Sequence, residues 1–428
     1  MPEVIRASFL LFQSQIVRKT IYFPTEMYYN GLVKWGNIVS EQYLFSFAKG
    51  IVMLKLLAVF AASLVLAYIS EQNTKAAIAS GQRYVAHKDW AYVLLVTILV
   101  LFAGLRTSYN DTGNYIRIFN ESPGLAAFFA DPENLNPLAN PLFYIVLNLI
   151  KDLTNNAQVL IFLTSFFAQI CFIKFIKRYS TNFVFSVFIY FTLGTFALSM
   201  AAMKQIAAMA ILTLAVPFFE RKKWPQYYLL VFVAMLMHTY AIAFIVLPLF
   251  AQKPWKSFTF IFAFATVILL MNFQDAITTF LEQADEVGKT IADYEVFDDH
   301  TVNIFRIAVY AVPPLISLVF QKWIFCDTTK MKYVLVHMSI ISLACMIMGT
   351  QSGANMFGRM ANYFELGTVC TLPWMLEQTF DKRSNRLISS AAVVAFLGYF
   401  MYANMIASDF GQVYRSMSLF QFIVSLFS

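Results

Sequence analysis

Residues 183–219 read FVFSVFIYFTLGTFALSMAAMKQIAAMAILTLAVPFF, and the only formal charge among them is Lys204. No water-facing surface can be built from such a stretch. Two apolar helices, each near the roughly 20 residues that a bilayer crossing requires, account for it. Outward from this pair the pattern recurs, with apolar runs at about 51–69, 90–105, 157–175, 226–250, 257–272, 303–321, 333–349, 360–377 and 387–408. The run at 226–250 is interrupted by His238 and Thr239 and reads as two shorter helices meeting there. The total is about twelve membrane segments. Composition agrees: of 428 residues 59% are hydrophobic and 13% charged, about half the roughly 25% charged of an average soluble domain. Mean hydropathy is +0.64, and the many Phe, Met and Tyr residues suit lipid-facing surfaces and interfacial belts. The fold class is an all-α polytopic membrane protein. It comprises a basic N-terminal arm at 1–50, interfacial in character, one transmembrane domain at 51–408 and an extracytoplasmic tail at 409–428.

The net charge of +7 is no nucleic-acid footprint, because Lys and Arg in such a chain gather in cytoplasmic loops. Five basic clusters alternate with non-basic loops: Lys174/Lys177/Arg178, Arg221-Lys222-Lys223, Lys253/Lys256, Lys322/Lys330/Lys332 and Lys382-Arg383/Arg386. The positive-inside rule puts them in the cytoplasm. The opposite side receives the polar segment 106–156 and the segment 273–302, whose eight acidic residues face only Lys289. Parity then requires that the amphipathic piece 138–151 does not cross, so it reads as an interfacial or re-entrant helix. Residues 1–49 carry Arg6, Arg18, Lys19, Lys34 and Lys49, yet alternation puts them outside. Either the arm tolerates that side or part of it re-enters the membrane. The first long apolar run begins near Ile51, so no cleavable leader is expected. Nor is an internal repeat.

Motifs of soluble-enzyme chemistry are absent: no Walker loop, HExxH or GxSxG. Cys171, Cys326, Cys345 and Cys370 lack ligand or pairing spacing, so no disulfide, metal or cofactor is expected. Phe297-Asp298-Asp299-His300 offers oxygens and an imidazole, but inside an acidic loop it reads as a solvated face.

Polar residues at the extracytoplasmic helix ends are more informative. Arg106 directly follows an apolar run, and Asp111 and Tyr115, four apart, share a face if the stretch turns helical. Singly, Arg106 reads as an arginine snorkelling to headgroups and Asp111 as a turn or cap residue. Lys204 sits between two apolar helices, where a cation needs a partner or water; alone it reads as a hairpin lysine. His238 alone reads as a packing histidine. Arg359 begins a helix and so opposes its dipole, Tyr363 follows one turn on, and Glu365 is the only carboxylate well inside a spanning run. Collectively, three cations, a histidine and a carboxylate from separate segments project to one side. Converging cations bind phosphate or diphosphate through charge-assisted hydrogen bonds. A sugar transferase outside the cytoplasm has no nucleotide sugars, so its donor carries its own leaving group, as a lipid diphosphate does. A carboxylate such as Asp111 could take the proton of the attacking hydroxyl.

At these residues the chain resembles the EpsG family of exopolysaccharide polymerases, Wzy-like enzymes of bacterial surface polysaccharide assembly. The resemblance is carried by Ala103-Gly104-Leu105-Arg106 with Asp111 and Tyr115, by Lys204-Gln205-Ile206-Ala207, by Arg221-Lys222-Lys223-Trp224 with Ala234 and His238, and by Arg359 with Tyr363 and Phe364. Their order covers roughly 100–370. The chain departs from the family in having Lys204-Gln205 where Arg-Gln is usual, which keeps the charge and loses the planar fork, and in its long basic arm.

The resemblance implies a glycosyltransferase with a GT-C-like architecture in the bacterial inner membrane. It would join undecaprenyl-diphosphate-linked repeat units of an O-antigen, capsule or exopolysaccharide, alongside a flippase and a chain-length regulator. In that frame Arg106 and Arg359, helped by Lys204, hold the diphosphate. Asp111 is the general base with His238 second, and Tyr115, Gln205 and Tyr363 shape the site. Two other classes stay open. An O-antigen-ligase-like transferase shares the donor and the cations, and a flippase or transporter shares the lipid. Against transport stand the lack of paired repeats and of an intramembrane charge chain.

Overall fold

The computed structural model describes residues 31–261, 302–350 and 354–427. Most of the basic arm, most of the run at 257–272 and the acidic segment with Phe297–His300 lie outside the described residues. Contacts divide the chain into Met1–Ala48 and Lys49–Ser428, and the membrane-spanning helices belong to the second unit.

Among the described residues, five helices are long and apolar enough to cross a membrane: Lys49–Ala79, Ala157–Tyr179, Met203–Glu220, Lys330–Met348 and Lys382–Ala407. Shorter apolar helices span Trp90–Gly104, Phe183–Thr192, Trp224–Met237, Thr239–Phe250 and Ile304–Val319, and one more helix runs from Ala354 to Thr379. The chain is therefore a helical, polytopic membrane protein. The break expected at His238 is present. Its backbone is extended between the α-helix Trp224–Met237 and the 3₁₀ helix Thr239–Phe250.

Contacts among the helix termini sort the polar residues to two ends. At one end Arg178 bridges Glu220 at 2.7 Å, Lys332 donates to the Tyr179 carbonyl at 3.1 Å and Lys177 to that of Ser70 at 3.1 Å. Three of the basic clusters therefore converge. At the other end lie Arg106, Asp111, Lys204, His238 and Arg359.

Between the ends, small and hydroxyl residues let helices approach, as expected where lipid provides no hydrophobic drive for association. Ser342 Oγ donates to the Ala361 carbonyl at 3.0 Å and Ser186 Oγ to that of Val369 at 2.8 Å. Gly367 marks a close crossing: a Cβ there would stand 2.6 Å from the Leu335 carbonyl oxygen. Phe60 fills the neighbouring interior, stacked on Phe191 at 4.8 Å.

The amphipathic piece expected at 138–151 forms the helix Pro141–Leu153, with Pro at its first turn and Asn140 in the left-handed region before it. Phe143, Leu147 and Ile150 are buried, an i, i+4, i+7 stripe. Its 13 residues extend about 20 Å at 1.5 Å per residue, short of a hydrocarbon core.

A small ladder is the one departure from an all-α chain among the described residues. Arg106–Ser108 pairs antiparallel with Arg415–Ser416, continued by Met417 N–H to the Leu105 carbonyl at 3.0 Å. The tail is thus ordered against the first polar loop. The Tyr414 hydroxyl donates to the Phe102 carbonyl at 2.7 Å and its ring stacks on Phe102 at 4.8 Å. From inside, Arg106 locks the turn. Its guanidinium donates to Ala103 O at 2.6 Å, Ser165 Oγ at 2.7 Å and Thr112 Oγ1 at 3.1 Å. Gln158 Nε2 holds the Gly104 and Arg106 carbonyls at 2.7 and 3.0 Å.

Both contacts make stability testable. Gly367→Val should force apart Lys330–Met348 and Ala354–Thr379, and melting in detergent should fall by many degrees; an unchanged midpoint would refute the close crossing. Arg106→Ala strands three acceptors, each worth about 1–3 kcal/mol when left unsatisfied, so it should lower the midpoint more than Arg106→Lys does.

Candidate functional site

A cavity of about 490 Å³ opens at the Arg106 end of the bundle, within the roughly 300–1,000 Å³ typical of small-molecule sites. Asp111, Gln205 and Arg359 line it, and so do Arg306, Asn362 and Glu365. Each arrives there for a local reason. Asp111 follows Asn110, whose φ of 45° turns the chain, and it precedes the helix Thr112–Glu121. Gln205 lies in the first turn of Met203–Glu220, a helix that starts abruptly because Ala202 takes a φ of 42°. That conformation costs an L-residue about 1–2 kcal/mol, and both strained residues line the cavity. Gln205 Nε2 donates to the Arg359 carbonyl at 2.6 Å, tying two helices together at the wall.

The other residues singled out from sequence lie off the lining. Arg106 is 0% exposed, and the acceptors described above engage it on the protein side. Burial lowers its pKa to about 10, an effect opposed by Tyr414, Tyr115 and Tyr109 around it; it is a cation at neutral pH. Lys204 points away from Gln205, donating to the Tyr144 hydroxyl at 2.8 Å with its ammonium over the Tyr144 and Phe143 rings at 4.6 and 5.5 Å, a cation–π arrangement. Tyr115 packs edge-on against Phe143 at 5.7 Å. Burial raises its hydroxyl pKa, and nearby Asp111 adds to the rise. His238 Nδ1 and the Tyr363 hydroxyl are 2.8 Å apart, within electrostatic reach of Arg359 and Lys204.

Two groups therefore form. Asp111, Gln205 and Arg359 share the cavity, while Lys204, Tyr115, His238 and Tyr363 back its wall, with the adjacent pair Lys204 and Gln205 joining them. The next residue to His238 is held too: Thr239 N–H donates to Asn140 Oδ1 at 2.9 Å, which fixes the helix break against the short helix Pro141–Leu153.

Sequence reading did not single out Arg306, which the run at 303–321 carries inside its first turn, where Arg359 stands at the edge of its own run. Arg306 donates to Asn362 Oδ1 at 2.8 Å, and Asn362 lies one turn beyond Arg359. The cavity thus presents two guanidinium groups and two carboxylates. Cations can neutralise a diphosphate, a carboxylate can accept a proton, and the amides of Gln205 and Asn362 order the wall. No three metal-ligating side chains converge among the described residues.

No curated protein and no solved structure matches the chain. A family model does, that of the EpsG family, over residues 89–422, from the residue capping Trp90–Gly104 into the ordered tail. By that match the chain belongs to the EpsG family of Wzy-like, polysaccharide polymerase-type proteins.

Proposed function

We propose that the protein polymerises a bacterial surface polysaccharide, an O-antigen, capsule or exopolysaccharide, from undecaprenyl-diphosphate-linked repeat units at the extracytoplasmic face of the inner membrane. In this reading it is a GT-C-like glycosyltransferase of about twelve segments. Its basic end lies in the cytoplasm by the positive-inside rule, and its cavity faces outward. A flippase supplies its substrate and a chain-length regulator acts on its product. The observation that carries the reading is the cavity itself: Arg359, Arg306 and Asp111 line one space at the end opposite the basic clusters, in a chain of this family.

The acceptor hydroxyl of a fresh lipid-linked unit attacks the anomeric carbon of the growing chain. As the new C–O bond forms, the bond to the lipid diphosphate breaks and its electron pair leaves with the diphosphate. Arg359 stabilises the charge that develops on that leaving group. Asp111 accepts the proton released by the hydroxyl. Arg106 is a positioning residue, since its hydrogen bonds fix the turn that leads to Asp111. Lys204 adds positive potential from behind the wall. The His238–Tyr363 pair supports the turn that carries Arg359, and His238 is the second choice for the base.

The test is to delete the gene in its host, restore wild-type or variant copies and resolve surface glycan on a gel. Asp111→Asn should cut chain extension at least about 100-fold, the lower range for general base catalysis, while insertion into the membrane is unchanged. Arg359→Ala should cost about 100- to 1,000-fold, as for other lost charge-stabilising donors. Loss of the long ladder with single units still displayed supports polymerisation. Loss of all glycan with lipid-linked units accumulating points to a flippase or ligase, and an unchanged ladder overturns the reading.

A further inference from the structure

The cavity holds a carboxylate for which the reaction just described has no use. Glu365 is 1% exposed and lies on the lining, six residues or about 9 Å along the helix from Arg359 at 1.5 Å per residue. Its Oε1 accepts from Thr195 Oγ1 at 2.8 Å. Its Oε2 is buried and has no hydrogen-bond partner among the described residues, a state in which proteins seldom leave a carboxylate oxygen. Arg306 and the Tyr310 hydroxyl stand close to the carboxylate and counter its charge, while no hydrogen bond of good geometry reaches Oε2 among the described residues. Asn362, Tyr399 and Tyr402 line the same region, adding neutral polar groups and aromatic carbon.

The ligand that suits this region brings a hydrogen-bond donor and no charge. A second anion would meet Glu365, and a cation would compete with Arg306. A sugar ring has hydroxyl donors around its edge and C–H faces that pack on tyrosine. We propose that Glu365 is a specificity-determining residue that reads the glycan, its Oε2 accepting a hydrogen bond from a sugar hydroxyl of the lipid-linked unit. Thr195 and Arg306 hold the carboxylate in place. Arg359 then marks the diphosphate end of the cavity and Glu365 the sugar end. The inference rests on the polymerase reading above.

The test uses full-length protein in lipid nanodiscs with two probes: single lipid-linked repeat units extracted from host cells lacking the gene, and undecaprenyl diphosphate without sugar. In Glu365→Gln the amide oxygen still answers Thr195, but an NH₂ group stands where the acceptor was. Affinity for the lipid-linked unit should fall about 10- to 100-fold, the range for losing a hydrogen bond to a charged group, with affinity for undecaprenyl diphosphate unchanged. Equal loss for both probes, or loss for neither, overturns the role of Glu365 alone. Failure of the wild type to bind the lipid-linked unit overturns the polymerase reading and this inference with it. A second measurement needs no variant. Carbodiimide labelling of Glu365 in the wild type, read by mass spectrometry, should be slowed severalfold by the lipid-linked unit and not by undecaprenyl diphosphate. Equal labelling with both refutes the contact.

Discussion

The guanidinium of Arg106 is a full charge at a helix end with no exposure to water, and the architecture of the polar end depends on how it is accommodated. Ala103, Thr112 and Ser165 supply oxygens from three separate segments, so the cation is a junction among the first polar loop, the helix before it and the helix Ala157–Tyr179. Burying a charge without hydrogen bonds is prohibitive; here dipoles solvate it in place of water. Because the rigid fork fixes the directions of its donors, the chain leaving Arg106 has little freedom. The course of Asn110 and Asp111 into the cavity wall is set before any ligand arrives.

Preorganisation recurs around the rest of the space. Gln205 joins the start of one helix to the Arg359 turn of another, and Thr239 joins the broken helix to Asn140. Left-handed backbone at Asn110 and Ala202 stores strain at the same wall, offset by the packed helices on either side. Such strain concentrates at functional sites. The polar groups of the cavity thus ride on helix ends and short turns, with the lipid-facing helices serving as the frame.

Much of this was legible in the sequence. Long apolar runs gave the helices directly, since a hydrocarbon solvent leaves the backbone few alternatives. The His238–Thr239 interruption located a break, and the alternation of basic clusters sorted residues to two ends. Arg359 was found because a polar side chain bounding an apolar run is conspicuous, Asp111 because it follows such a boundary, and Gln205 through the family resemblance. Less legible was direction. Nothing in the spacing of Arg106 or Lys204 says whether the side chain turns toward a cavity or back into protein, and both turn back. Arg306 was missed because it lies just inside its run, where it does not mark a boundary. The strand at Arg415–Ser416 was invisible because its partner lies so far away in the chain, Arg106 facing Ser416 across the ladder. Pairing at that range leaves no local periodicity.

That separation also sets an order of assembly. Strand Arg106–Ser108 is synthesised early and its mate only after the intervening helices have left the ribosome and entered the bilayer. Until then the Asp111 loop lacks its ladder and the Tyr414 ring that covers Phe102. A nascent chain would therefore carry Asp111 without the clamp on the strand that leads to it until residues 414–417 dock. Maturation of the site is in this sense a late event, coupled to completion of the bundle.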